Sequence, residues 1–272
     1  MSLLAAVVLL ALAPPAPRPV ISFWNGIGDA QVFIMAADGR GVRQLTHLFS
    51  AKRASWSPDG KQLVFDGRFY KTLNDFDIGI MRADGSAVRR ITHGPERDVM
   101  AAWSPDGRWL AFSRLRAEGA ESEVWLVRPN GRQAHRLVKG SAPAWSPDAR
   151  WIAFDAPGGI YAVRPDGSGR RLIARGDLGG LEWSPDGHRI AYTNWSGKAP
   201  EIYVAGADGS NTRRLTRNGV DDFDPSWSPD GRKILYTHGR ENAHAVYVMN
   251  ADGTRKRRLT RGGDDWATSW RP

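Results

Sequence analysis

Cysteine is absent from the 272-residue chain. That excludes a disulfide framework and any thiolate chemistry, and it leaves the redox compartment open. Histidine is scarce, with six residues. His47 and His93 follow equivalent threonines, His135 lies in an edge strand, His188 follows a turn, and His238 and His244 flank one loop, so no ligand or catalytic spacing emerges. No Gly-x-Ser-x-Gly occurs, which excludes the nucleophile elbow of a hydrolase domain. Long apolar runs are lacking too. Residues 3–13 form one uncharged stretch that is too short to span a bilayer comfortably and is followed by prolines up to Pro19. It reads as a secretory signal with Ala11-Leu12-Ala13 at the cleavage site, or as an uncleaved amino-terminal anchor, which would be the chain's one membrane contact.

What the chain has in abundance is tryptophan within a repeat. Trp-Ser-Pro-Asp-Gly begins at Trp56, Trp103, Trp183 and Trp227, with Trp145-Ser-Pro-Asp-Ala149 as a near copy and Trp270-Arg271-Pro272 as a shortened one. The spacings are 47, 42, 38, 44 and 43 residues, in the range of a propeller blade. Ser-Pro-Asp-Gly predicts a type I turn closed by a bulge at the glycine. A strand apolar on both faces follows, as in Leu63-Val64-Phe65 or Ile152-Ala153-Phe154, and such a strand must be covered on both sides. Third strands align at Val32-Phe33-Ile34, Ile78-Gly79-Ile80, Val124-Trp125-Leu126, Ile160-Tyr161-Ala162, Ile202-Tyr203-Val204 and Val246-Tyr247-Val248. Each leads to an Asp-Gly or Asn-Gly turn, read as type I plus bulge because Pro129 and Pro165 precede two of them. A fourth strand such as Arg90-Ile91-Thr92 closes the unit.

These periods predict an all-β, six-bladed β-propeller of four-stranded blades over residues 20–272. Five blades are complete in sequence order. The sixth is composite: residues 20–46 lack a leading strand, and Asp265–Trp270 supplies one at the other end, so the last strand should close the ring.

The net charge of +9 raises the question of nucleic acid. Many arginines sit at the fourth strand, among them Arg43, Arg89, Arg136, Arg171, Arg213 and Arg257. That places them in a belt around the outer edge, where charge blunts an unpaired strand, rather than in one patch. No nucleic-acid partner is expected.

Together the Trp-Ser-Pro-Asp-Gly turn, the Ile-Tyr-Val strand, the Ala-Asp-Gly turn and the closing Arg-Leu-Thr resemble the TolB-like β-propeller repeat, over about residues 20 to 271. The resemblance implies a six-bladed ring and a non-enzymatic binding function in the periplasm or outside the cell. It also implies a protein or cell-envelope component as partner, and the α/β domain that precedes the propeller in TolB itself is not expected here. A monomer is expected.

Strand alternation puts the uniform turns on one face of the ring and the variable loops on the other, where binding usually sits. Candidate binding residues on that variable face are Trp24, Phe69, Tyr70, Phe76, Trp195, Phe223 and Trp266. The competing reading is that several of them plug blade tops. A second set is expected at the channel mouth: Arg53, Asp98, Asp177, Asp222 and Asp265. A ring of carboxylates suits Ca²⁺, although Asn74-Asp75-Phe76-Asp77 and Asp221-Asp222-Phe223-Asp224 match a calcium loop only in part, so no resident cofactor or metal is assigned. The same acids support the alternative function, a hydrolase or lyase acting on a carbohydrate at the channel mouth.

Overall fold

The computed structural model describes residues 19–26, 29–70, 76–115, 121–241, 243–261 and 263–272. The apolar run 3–13 and its proline-rich sequel to residue 18 lie outside the described residues, as do Asn74 and Asp75 of the first partial calcium loop.

The chain begins with β1 (Val20–Asn25), β2 (Gln31–Ala36) and β3 (Arg43–Gln44). The first full blade follows as β4 (Ser50–Trp56), β5 (Gln62–Arg68), β6 (Phe76–Arg82) and β7 (Arg89–Arg90). The second is β8 (Arg97–Trp103), β9 (Leu110–Leu115), β10 (Glu123–Val127) and β11 (His135–Lys139). The third is β12 (Ser141–Trp145), β13 (Ile152–Ala156), β14 (Gly159–Val163) and β15 (Arg171–Arg175). The fourth is β16 (Leu178–Trp183), β17 (Arg189–Asn194), β18 (Glu201–Gly206) and β19 (Arg213–Arg214). The fifth is β20 (Asp221–Trp227), β21 (Lys233–Gly239), β22 (Ala245–Asn250) and β23 (Arg257–Arg258), and β24 (Asp265–Trp270) comes last.

All six sheets are four-stranded, and the sixth has the order β24-β1-β2-β3, so the ring closes as the repeat phase required. The six apolar clusters lie between neighbouring blades rather than within one. That is why the second strands are apolar on both faces. The tryptophan that ends each leading strand is buried in such a cluster, and Trp183 and Trp270 also donate Nε1–H to backbone carbonyls of the preceding blade, Ala144 and Ser226.

The turns form as their residues dictate. In each Ser-Pro-Asp turn the serine Oγ donates to the aspartate at 2.5 to 2.7 Å. The same oxygen accepts the N–H five residues on, which locks the hairpin. Ala149 occupies the closing position with φ +58°, where the other copies have glycine. An L-residue there costs about 1 kcal/mol, so Ala149→Gly is expected to stabilise the protein by roughly 0.5–1 kcal/mol. Thermal denaturation of the two forms checks this, and an unchanged or lower melting temperature would count against it.

Arg-Leu-Thr decides the length of the outer strand. Where threonine is present, its Oγ1 accepts an N–H near the start of the third strand, from Val32, Ile78, Ile202 and Val246, and the fourth strand stops after two residues. In the second and third blades threonine is missing and the backbone ladder continues for five residues. The arginine belt also has structural work: Arg43, Arg89, Arg171 and Arg257 donate to turn carbonyls of the next blade.

Candidate functional site

The six leading strands pack against one another around the axis, so they bound the central channel. Each carries an irregularity three or so residues before its tryptophan, where Arg53, Met100, Ala142, Gly180 and Asp224 have positive φ. The bulge turns one N–H out of the sheet and towards the preceding blade. A polar side chain there accepts it: Asp66 from Met100, Ser113 from Ala142, Thr193 from Asp224 and Thr237 from Ala267. These acceptors all follow the aromatic residue of the second strand, a recurrent polar residue in an otherwise apolar run.

At the bulge level the channel is acidic. Burial pushes Asp66 and Glu182 up to about 7. Asp155 is raised well above the ordinary carboxylate range by burial and then by the like charge of Asp224, which is itself raised by burial. Both carboxylates crowd the Gly179-Gly180 pair of the fourth blade, where an added Cβ would lie 3.2 Å from Asp155 Oδ2 and 2.8 Å from Asp224 Oδ1. Arg53 and Asp224 attract each other although the sixth blade lies between theirs in the ring, so both reach the channel.

On the variable face, five of the seven candidate aromatics fall into one arc. Trp195 stacks on Phe223 at 5.9 Å, Phe223 meets Trp266 at 5.0 Å, and Trp266 stacks on Trp24 at 4.8 Å. Lys52 Nζ then lies 5.0 Å from the Trp24 ring and 5.8 Å from Phe76. The arc follows from register, because Trp24 and Trp266 are directly paired across β1 and β24. His244 fills its centre, in contact with Phe223 and Trp266 and hydrogen-bonded through Nδ1 to Asp264. Trp195 is 41% exposed, whereas Trp24 and Phe223 are buried.

The other two aromatics are elsewhere. Phe69 covers Gly67 and Gly79, where added Cβ atoms would meet its ring at 2.9 and 2.7 Å. Gly79 stands at the one third-strand centre without an aromatic side chain, and Phe69 fills that hollow against Phe65. It is a blade plug. Tyr70, 56% exposed, stacks with Arg90 towards the outer edge.

The expected channel-mouth acids do not converge. Asp98 is held by both arms of Arg114 at 2.8 Å, Asp222 by His238 and Asn218, and Asp265 by Asn25. In each case a partner stands directly opposite on the neighbouring strand, so each carboxylate is tied into its own sheet. Asp177 is exposed at the third and fourth blades, beside a cavity of about 560 Å³ that also touches Asp155 and Lys139. Arg53 reaches Asp66 at 3.6 Å. Among the described residues no three His, Asp or Glu side chains are grouped for a metal.

The fold and the repeat chemistry agree with known proteins. Residues 142–272 match the TolB beta propeller domain family. The Tol-Pal system protein TolB of Anaeromyxobacter dehalogenans (strain 2CP-C) is 32% identical over 133 residues, 48% of this chain and 22% of that protein, so the match spans about a fifth of the relative's length. Two solved structures share the architecture. TolB from Acinetobacter baumannii superposes with a TM-score of 0.80 at 19% identity, covering 94% of this chain and 67% of that one. The putative TolB from Agrobacterium tumefaciens has a TM-score of 0.70 at 21% identity, covering 93% and 98%. The repeat signature, the composite sixth blade and these matches make the chain similar to the TolB-like β-propellers, with the family match covering just under half of its length.

Proposed function

We propose that the protein is an exported, periplasmic or secreted scaffold that binds a protein or cell-envelope component through its variable face. The observation that carries this reading is the aromatic arc from Trp195 to Trp24, which ends in a surface tryptophan on a rigid base. Buried neighbours hold that base in place before any partner arrives, so binding would cost little ordering. A large aromatic anchor beside mixed charge has the composition of a binding hot spot. The Tol-Pal relative supports an envelope partner by kinship of the repeat. Asp98, Asp222 and Asp265, tied up separately, lend no support to carbohydrate cleavage.

The test is crosslinking and capture from envelope fractions, comparing the parent with Trp195→Ala. Truncating an exposed side chain leaves the fold intact, so equal melting temperatures are expected. A hot-spot tryptophan contributes about 2 kcal/mol, and the captured partner should bind the variant roughly 30-fold more weakly. Equal capture by both forms would overturn the reading.

A further inference from the structure

At the Trp24 end of the aromatic arc, the first and second blades carry a cluster of cations that outnumbers the acids beside it among the described residues. Lys52 and Arg97 flank the same ring, with Lys52 Nζ 5.8 Å and Arg97 Cζ 5.3 Å from the centre of Phe76. Arg53 is the next residue after Lys52, and Arg68 stands opposite Ser50, two residues before Lys52 along β4. Strand alternation puts Ser50, Lys52, Asp66 and Arg68 on one side of the sheet. Asp66 lies among them at 3.6 Å from Arg53, with burial raising it to about 7, and Asp224 feels the charge of Arg53 from the fifth blade. Lys52 is pushed down by burial and then by Arg53 and Arg97, so these like charges crowd one another.

Among the described residues four buried polar atoms here make no hydrogen bond, one of them Asp66 Oδ2, which lies 3.6 Å from Arg53. The others are Arg68 Nε, Arg97 Nε and Ser50 Oγ. Two arginines on other sheets are satisfied: Arg114 grips Asp98 with two bonds, and Arg214 reaches both Thr216 O and Glu201. A buried donor left unmade is costly, and two of them on neighbouring guanidiniums point to a missing acceptor. With Arg53 facing Asp66, an anionic acceptor presenting more than one oxygen would meet the remaining two guanidiniums and the ammonium together.

We propose that Lys52, Arg68 and Arg97, with Arg53 beside them, form an oxyanion-binding site at the channel mouth. The ligand class is a phosphate or carboxylate group borne on a molecule small enough to enter between the first two blades. Phe76 and Trp24 close the site on its apolar side and hold Lys52 by cation–π contact. The site adjoins the arc at Trp24 and Phe76, and its arginines are not among the residues that stack with Trp195.

Calorimetric titration of the full chain with inorganic phosphate and, separately, with citrate at constant ionic strength tests the site. One saturable binding event is expected with at least one of them, and the tighter anion identifies the ligand class. Arg68→Gln and Arg97→Gln should each weaken it roughly tenfold, whereas Arg128→Gln, which alters an arginine stacked on Trp109 at the opposite face, should leave it unchanged. Lys52→Met keeps the apolar stem and guards against misfolding of the arginine variants: the anion should raise the melting temperature of the parent and not of this form. No saturable heat with either anion, or binding that all three variants retain, would overturn the site. Because the readout needs no partner, its failure is distinguishable from failure of the docking reading.

Discussion

Removal of residues 264–272 is expected to abolish the cooperative unfolding transition. Strand β24 is the innermost strand of the sixth blade, paired with β1 from Ile21↔Trp270 to Asn25↔Asp265. Its loss exposes Ile21, Phe23, Leu235 and Val246, which share a cluster with Ala267 and Trp270. It also strands Thr237 Oγ1, Asn25 Nδ2 and the backbone of Gly26 and Val20, all of which bond to the lost segment. Removing one buried tryptophan costs about 3–5 kcal/mol, and the ladder and orphaned polar groups add to it. The sum is comparable with the whole stability of a typical domain, about 5–15 kcal/mol. A ring differs from an open repeat array in that opening one seam exposes two faces at once. Differential scanning calorimetry of the truncated chain decides the matter: a single sharp transition at the parent temperature would show that the seam is dispensable.

The second large effect is a gain of stability on mild acidification. Asp66 and Glu182 have folded-state values of about 7 against ordinary carboxylate values near 4, and Asp155 and Asp224 move in the same direction. Between pH 4 and pH 7 the folded form therefore holds more protons than the unfolded chain, and stability falls as pH rises through that window. Each tenfold rise in a carboxyl's proton affinity on folding corresponds to about 1.4 kcal/mol. After allowance for relaxation of the channel, the protein should be more stable at pH 5 than at pH 8 by at least roughly 2 kcal/mol, or about 4–8 °C in melting temperature. The turn aspartates set the lower limit. Asp59, Asp186 and Asp230 are held below their ordinary values by hydrogen bonds from serine, so their contribution is lost only as pH falls below about 4. A melting series from pH 3 to pH 9 should peak near pH 5, and Asp66→Asn with Glu182→Gln should flatten its alkaline limb. A profile that rises steadily from pH 5 to pH 8 would show that these carboxyls are ionised in the folded protein.

The blades were legible in the sequence because each is a local object. Ser-Pro-Asp-Gly makes the same turn wherever it occurs, since its hydrogen bonds lie within six residues. The doubly apolar second strands and the unmatched strand at the carboxyl end were enough to infer stacked sheets and a closed ring. Phe69 shows where that reasoning stopped. The lone Gly79 in the third-strand column was visible, but only packing reveals that Phe69 lies over it instead of facing a ligand.

Asp98, Asp222 and Asp265 fail as a ring for a related reason. Their common distance before tryptophan does place them at one level of the propeller, yet the residue opposite each one, Arg114, His238 or Asn25, depends on cross-strand register. The aromatic arc and the unpaired guanidiniums likewise join side chains from separate blades. Trp195 and Trp24 are 171 positions apart and meet through Phe223 and Trp266. The sequence by itself determined the turns, the strand pattern, the blade number and the way the ring closes, since these depend on contacts within one repeat and on its phase. Which charges are paired, which carboxyls are buried and which aromatics share a surface was decided only when six blades came together, because burial and charge compensation are properties of neighbours that the chain brings from far apart.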